Sequence, residues 1–326
     1  MNLLKKICAL SLCLILFQTA NAQWTKQNSN TLAWLYDIYF LNEKIGWIAG
    51  SGGTLLVTAD GGTTWRQTPK FTTDAIRQIY FFNEKNGWLL CERDVYNRGA
   101  AFPSYVLRTA DGGKTWEKSE FAATGRERIT KIIFGKNDSA HAFGEGGMIF
   151  TLEKNENIWK KTPLSIKYLL LDGLFAADDT MRGIIVGAGG SILFTEDGGM
   201  QWSGANVYGD KRTRLNSVFF INSKNGWTAG ANGKIFQTVS GGKNWREQKS
   251  VTTNNLNSIF FLDTAEGWAI GDEGTIVHTT TAGNIWSEED SNTTHRLEKV
   301  LFSKRRGWAV GFGGTILRYD LNKNER

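Results

Sequence analysis

The chain reads as all-β, a single seven-bladed β-propeller of four-stranded blades, closed into a ring by its N-terminal strand. Three observations predict this. Two columns of tryptophan recur at a near-constant step. Short runs of β-branched and aromatic residues alternate with turns rich in Gly, Asn and Asp, which is the pattern of successive hairpins. After the opening segment no helical periodicity competes with them.

The opening segment is expected to be removed. Lys5-Lys6 is a charged start, Ile7 to Phe17 a short apolar core, and Ala20-Asn21-Ala22 a small-residue cleavage site. That is the arrangement of a secretory signal peptide over residues 1–22. The apolar run falls short of the roughly 20 residues of a membrane span, and no later run replaces it, so no membrane span is expected. No cysteine follows the cleavage site, so no lipid anchor is expected either. The product is expected to be exported, to a periplasm or the cell exterior. Residues 23–326 then form one domain with one cysteine, Cys91, and no internal disulfide. Losing Lys5 and Lys6 takes the formal charge from +6 to +4. No basic run stands out, and nucleic acid is not expected as a partner.

The repeats come next. Trp24, Trp65, Trp116, Trp159, Trp202, Trp245 and Trp286 stand 41, 51, 43, 43, 43 and 41 residues apart. A second column holds Trp47, Trp88, Trp227, Trp268 and Trp308, with His141 and Ile184 in the two remaining places. Each repeat begins with an apolar strand such as Ile38-Tyr39-Phe40 or Val218-Phe219-Phe220. A polar turn leads to the Gly-Trp strand, a Gly-rich turn to a third strand, and a tight Asp-Gly-Gly turn to a strand opened by tryptophan. Four strands in about 40 residues is the period of a propeller blade. Seven first strands predict seven blades. The last blade ends near Tyr319 without a fourth strand. Trp24-Thr25-Lys26-Gln27 resembles Trp245-Arg246-Glu247-Gln248 and is expected to fill the gap, since an open ring would leave exposed edges. The long step of 51 places an insertion, Cys91 to Ser104, between strands two and three of blade two.

The most specific local motif is Thr-x-Asp-Gly-Gly-x-x-Trp, complete at Thr58–Trp65, Thr109–Trp116 and Thr195–Trp202. This is an Asp-box. Its aspartate can accept backbone N–H bonds across the turn, its glycines allow positive φ, and its tryptophan buries a large apolar face. One carboxylate per turn is too few for calcium. With the Gly-Trp-x-x-Gly column, the repeat resembles the photosystem II assembly and stability factor family of exported seven-bladed propellers with BNR-type repeats. The resemblance covers essentially the whole mature chain, and it implies an exported scaffold that binds a protein partner. In the Asp-box alone the chain is also similar to sialidases and sortilin-type receptors.

In a propeller the first strands line a central channel. Aligning the blades puts Trp34, Ala75, Arg128, Leu170, Arg214, Asn255 and Arg296 at its mouth, with Tyr36, Arg77, Thr130, Asp172, Asn216, Asn257 and Glu298 two residues on. With Lys131, Lys299 and the insertion's Arg93 and Arg98, that face is expected to be basic and to take an acidic partner surface or a carboxylate, which the planar arginine fork suits. The opposite reading is scattered charges paired with Glu298, Asp172 and Asp37.

Catalytic constellations are thin. His141, His278 and His295 are scattered, two of them inside strands, so no metal or cofactor is expected. There is no Gly-x-Ser-x-Gly elbow, and Cys91 has no histidine partner in the repeat alignment. The leading reading is a monomeric, non-catalytic scaffold. The alternative is a sialidase-like glycoside hydrolase or a carbohydrate-binding propeller for an acidic sugar, with Trp34 and Tyr36 stacking on it. A converged tyrosine, glutamate and arginine set would mark the enzyme, and clustered arginines without one a binding face.

Overall fold

The computed structural model describes residues 24–321, apart from 95, 97, 98, 100, 122–125, 136–138, 154–157, 163–166 and 305. The expected signal peptide and Arg98 lie outside them. Seven sheets follow one another along the chain, antiparallel apart from one strand pair in blade five. Blade one is Leu35–Phe40, Gly46–Gly50, Leu55–Thr58 and Arg66–Gln67. Blades two to six repeat this order, beginning at Ala75–Phe81, Ile129–Phe134, Leu170–Ala176, Leu215–Phe220 and Leu256–Phe261. Blade seven holds Leu297–Ser303, Arg306–Gly311 and Ile316–Asp320.

The N-terminal strand supplies the fourth strand of blade seven. Thr25, Lys26 and Gln27 pair antiparallel with Arg318, Leu317 and Ile316. Trp24, just before them, is 1% exposed and packs against Phe302 and Tyr319. Its indole N–H donates to Glu289 on blade six, 2.9 Å away. The closing strand is therefore gripped by two blades.

One element departs from four strands per blade. After Ser203–Gly204 the chain runs on as Asn206–Tyr208, which lies parallel against the outer strand Asn244–Gln248 of blade five. Blade five thus has five strands. The insertion in blade two sits where the spacing puts it, after a longer second strand, Gly87–Glu92, and before Ser104–Thr109.

The repeat's glycines follow from how the blades touch. In the Asp-Gly-Gly turn of blade one, Asp60 accepts from the Thr64 N–H and hydroxyl at 2.9 and 2.6 Å. Gly62 has φ +71°, and a Cβ there would lie 2.5 Å from the Trp308 indole nitrogen of blade seven. The Gly-Trp indole of one blade slides beneath the turn of the next, and only glycine leaves room. At Gly199 the ring beneath the turn is His141.

Candidate functional site: the channel mouth

The first strands begin at a cavity of about 330 Å³ on the face opposite the Asp-Gly-Gly turns. Trp34, Tyr36, Arg77, Arg128, Lys131, Arg214, Arg296 and Lys299 all line it. Arg128, Arg214 and Arg296, from three separate blades, face this one opening. Arg93 does not line it. Its guanidinium lies over the Tyr105 ring and is bonded to Glu120 and the Phe102 carbonyl, tying the insertion to its own blade. The expected role of Arg93 at the mouth is corrected by that geometry.

The lining is less basic than the alignment suggests. Six cations are accompanied by four carboxylates, Asp37, Glu92, Asp172 and Glu298. Glu92 takes Arg77 at 2.7 Å and Arg128 at 3.2 Å, and Glu145 takes Arg128 at 2.8 Å. Arg77 also lies 4.1 Å over the Tyr36 ring. Arg296 reaches Glu298 at 2.7 Å and Asp272 at 3.4 Å, and Trp34 donates its indole N–H to the same Glu298 at 2.9 Å. Lys131 holds Asp172 at 3.1 Å. Among the described residues only Arg214 and Lys299 line the cavity without an ion pair, and Arg214 is solvent-exposed.

Glu92, Glu145 and Asp272 are the residues that sequence reasoning missed. The first lies at the end of strand two, and the other two follow it in the Gly-rich turn. All three sit on the loops that share the mouth, and that shared face is the signal that could have found them.

Beneath the mouth runs a second column, one residue after Tyr36: Asp37, Gln78, Lys131, Asp172, Ser217, Ser258 and Lys299. Asp172 belongs here and not beside Tyr36, a correction to the aligned columns: Leu170 pairs with Gly187 as Leu35 pairs with Gly50, so the alignment slips by one residue in blade four and Leu171, not Leu170, lines the cavity. In five blades it ties one blade to the next. Asp37 accepts the N–H of Ile79, Gln78 that of Ile132, Asp172 that of Val218, Ser217 that of Ile259, and Ser258 that of Val300. Lysine, which has no acceptor, occupies the other two places. Charge here is unevenly stabilised. Burial pushes the Asp37 carboxyl up, against the pull of Lys131 and Lys299. Asp172 meets the same burial, but Lys131, Lys299 and the Val218 N–H outweigh it and hold its carboxyl down.

The tyrosine, glutamate and arginine set named above does converge here. Each glutamate, however, is already bonded to arginine, and burial raises the Tyr36 hydroxyl. The paired arginines are occupied by protein carboxylates, and a neutral tyrosine is a poor nucleophile.

The described residues hold no cluster of His, Cys, Asp or Glu fit for a metal. None of their helices is long and apolar enough to cross a membrane.

The chain is 24% identical over 192 residues to the photosystem II assembly protein Ycf48 of Synechococcus sp. (strain JA-3-3Ab), covering 57% of this chain and 53% of that protein. It is 26% identical over 209 residues to the photosystem II stability/assembly factor HCF136 of Cyanidioschyzon merolae, covering 57% and 47%. The matches thus span about half the length of these relatives. A solved structure of YCF48 bound to D1 peptide superposes with a TM-score of 0.74 at 22% identity, covering 92% of this chain and 95% of that one. A virginiamycin B lyase from Staphylococcus aureus also superposes at 0.74, with 14% identity, covering 92% of this chain and 100% of that one. At such identities the likeness speaks for the fold alone, and one fold carries both binding and catalysis. The family model for photosynthesis system II assembly factor YCF48 matches residues 16–95, 151–250 and 210–296. With more than half of its length matched, the chain belongs to the YCF48 photosynthesis system II assembly factor family.

Proposed function

We propose that the chain is an exported, monomeric, non-catalytic propeller that binds a protein partner at the channel mouth through a carboxylate on an acidic segment. The signal peptide would be residues 1–22 and the propeller domain residues 23–326. One observation carries the reading: Arg214 projects from the rim of a cavity whose other arginines are paired, so an incoming carboxylate meets a free guanidinium set among rigid neighbours. The paired residues Arg77, Arg128 and Arg296 hold the shape of the rim, and Trp34 offers an apolar wall beside it. The relative solved with a D1 peptide supports a peptide as the kind of ligand.

The test is affinity capture from the native exported fraction, using the mature chain, Arg214→Ala, and Arg66→Ala as a control on the outer strand of blade one. A protein retained by the wild type and the control but lost by Arg214→Ala supports the reading, as does loss of retention in high salt. Retention that ignores Arg214 sinks it.

Trp34 and Tyr36, 5.7 Å apart at the mouth, favour one second reading, an acidic sugar stacked on the rings. Turnover of a sialoside, or its retention without any protein partner, would move the assignment there.

A further inference from the structure

Lys299 stands in the column that ties the blades together, and it ties nothing. Its counterpart Lys131 reaches the carboxylate of the next blade, Asp172, at 3.1 Å. By repeat symmetry Lys299 would reach Asp37 in the same way. Yet among the described residues no carboxylate oxygen lies within the 4.0 Å of an ion pair, and Asp37 is bonded instead to the Ile79 N–H at 3.0 Å. Five blades place an acceptor here and one a paired lysine. Blade seven places a lone amine on the floor of a cavity.

We propose that Lys299 is a carbonyl-reactive amine, and that the channel floor takes a small anionic aldehyde or 2-oxo acid as an imine on its Nζ. Burial, and then the charge of Lys131, hold the Lys299 ammonium below its ordinary range, so more of it is free amine than on a surface lysine. Lys131 meets the same burial, but Asp172 and Asp37 outweigh it and hold its ammonium up. Of two lysines in one cavity, only one is activated. Arg214 at the rim takes the anionic end of the ligand.

The chemistry balances with the amine, the carbonyl ligand and solvent water. The Lys299 ammonium gives a proton to water in the open cavity. The freed nitrogen pair adds to the carbonyl carbon, forming the C–N bond as the C=O π bond breaks, and the oxygen takes up the amine's proton as a hydroxyl. A proton returned from solvent lets that hydroxyl leave as water, and the protonated imine remains. No oxidant or reductant is needed. The proposal stands apart from peptide binding, because it reads a covalent product at Lys299 rather than retention of a protein.

The probe is glyoxylate with cyanoborohydride on the intact folded protein at neutral pH, followed by peptide mapping of carboxymethyl-lysine. Lys299 should be labelled several-fold faster than the exposed Lys70 and Lys249, since burial leaves more of it as free amine at neutral pH. Arg214→Ala should slow labelling by glyoxylate about threefold, the loss of one screened charge contact, and leave labelling by uncharged acetaldehyde unchanged. Lys299→Arg keeps the charge and should abolish the fast label at an unchanged melting temperature. Labelling of Lys299 no faster than that of Lys70, or equal labelling of Lys131, overturns the proposal. Arg214→Ala slowing both aldehydes alike, or neither, overturns the anionic half of it.

Discussion

His141 replaces tryptophan in the second column, and that replacement makes the fold sensitive to acid. The ring is 3% exposed, lies beneath Gly199 and packs 5.3 Å from the Phe175 ring. Its Nδ1 meets the Thr151 hydroxyl at 3.2 Å, and its Nε2 has no hydrogen-bond partner among the described residues. Burial pushes the imidazole down from 6.5 to about 4, only partly opposed by the Gly198 carbonyl. In the unfolded chain the same ring takes up its proton near 6.5. Between those values the unfolded state binds more protons, so stability rises with pH across this window and is fully restored above it. At about 1.4 kcal/mol per pH unit, the gap costs the folded state roughly 3 kcal/mol by pH 4. Replacing the ring by one that cannot charge, His141→Phe, should remove that cost. Urea unfolding of both proteins at several pH values from neutral to about 4 measures it. Any strain from the larger ring shifts the comparison equally at every pH, so the difference between the two profiles isolates the proton. The expected result is a difference that moves in favour of the variant by about 3 kcal/mol on acidification. Parallel profiles, or an imidazole resonance titrating near its ordinary value in the folded protein, would mean that burial of His141 does not disfavour its charged form.

Other consequences follow from the same packing. Gly62→Ala forces a side chain onto a φ of +71° and against the Trp308 indole. It should cost about 2–4 kcal/mol, and thermal unfolding at wild-type stability would contradict the slide of indole under turn. Trp24→Ala removes the buried anchor of the closing strand and should cost about 3–5 kcal/mol, with early hydrogen exchange along Ile316–Asp320; unchanged protection there would mean that the ring does not depend on its latch. Glu289 accepts both the Trp24 and Trp268 indoles and reaches the His278 ring at 2.9 Å. Glu289→Ala strands those donors and should cost about 2–3 kcal/mol, read from urea midpoints. Burial pushes the Cys91 thiol up to about 12, so iodoacetamide should alkylate it only after denaturation; ready alkylation of the native protein would place it at the surface instead.

Much of the fold is legible in the sequence because a propeller is a one-dimensional pattern. Each blade contacts mainly its neighbours, so spacing alone assigns strands, turns and ring order. The two tryptophan columns, the Asp-Gly-Gly turns and the insertion after Glu92 could all be located that way. The closing strand was legible too, because Trp24-Thr25-Lys26-Gln27 carries the fourth-strand pattern at the wrong end of the chain. The fifth strand of blade five was not. Asn206–Tyr208 has no repeat to match, and its parallel pairing with Asn244–Gln248 depends only on where the chain passes after Gly204.

The site divides in the same way. Which side chains face the channel is set by alternation along the first strands, so the aligned columns brought Trp34, Tyr36 and the ring arginines to one mouth. Which of those charges remains free is not a property of any column. Arginine and glutamate side chains reach across blade boundaries, and Glu92 of blade two takes Arg128 of blade three as well as its own Arg77. Strand order, turns and ring closure follow from the sequence, because they rest on local turns and a repeated apolar spacing; the one-residue slip of blade four shows only in the strand pairing. The charge of the mouth is settled by the packing of the blades, which among the described residues leaves Arg214 and Lys299 without an ion pair, because ion pairing depends on distances of a few ångströms between residues far apart in the chain.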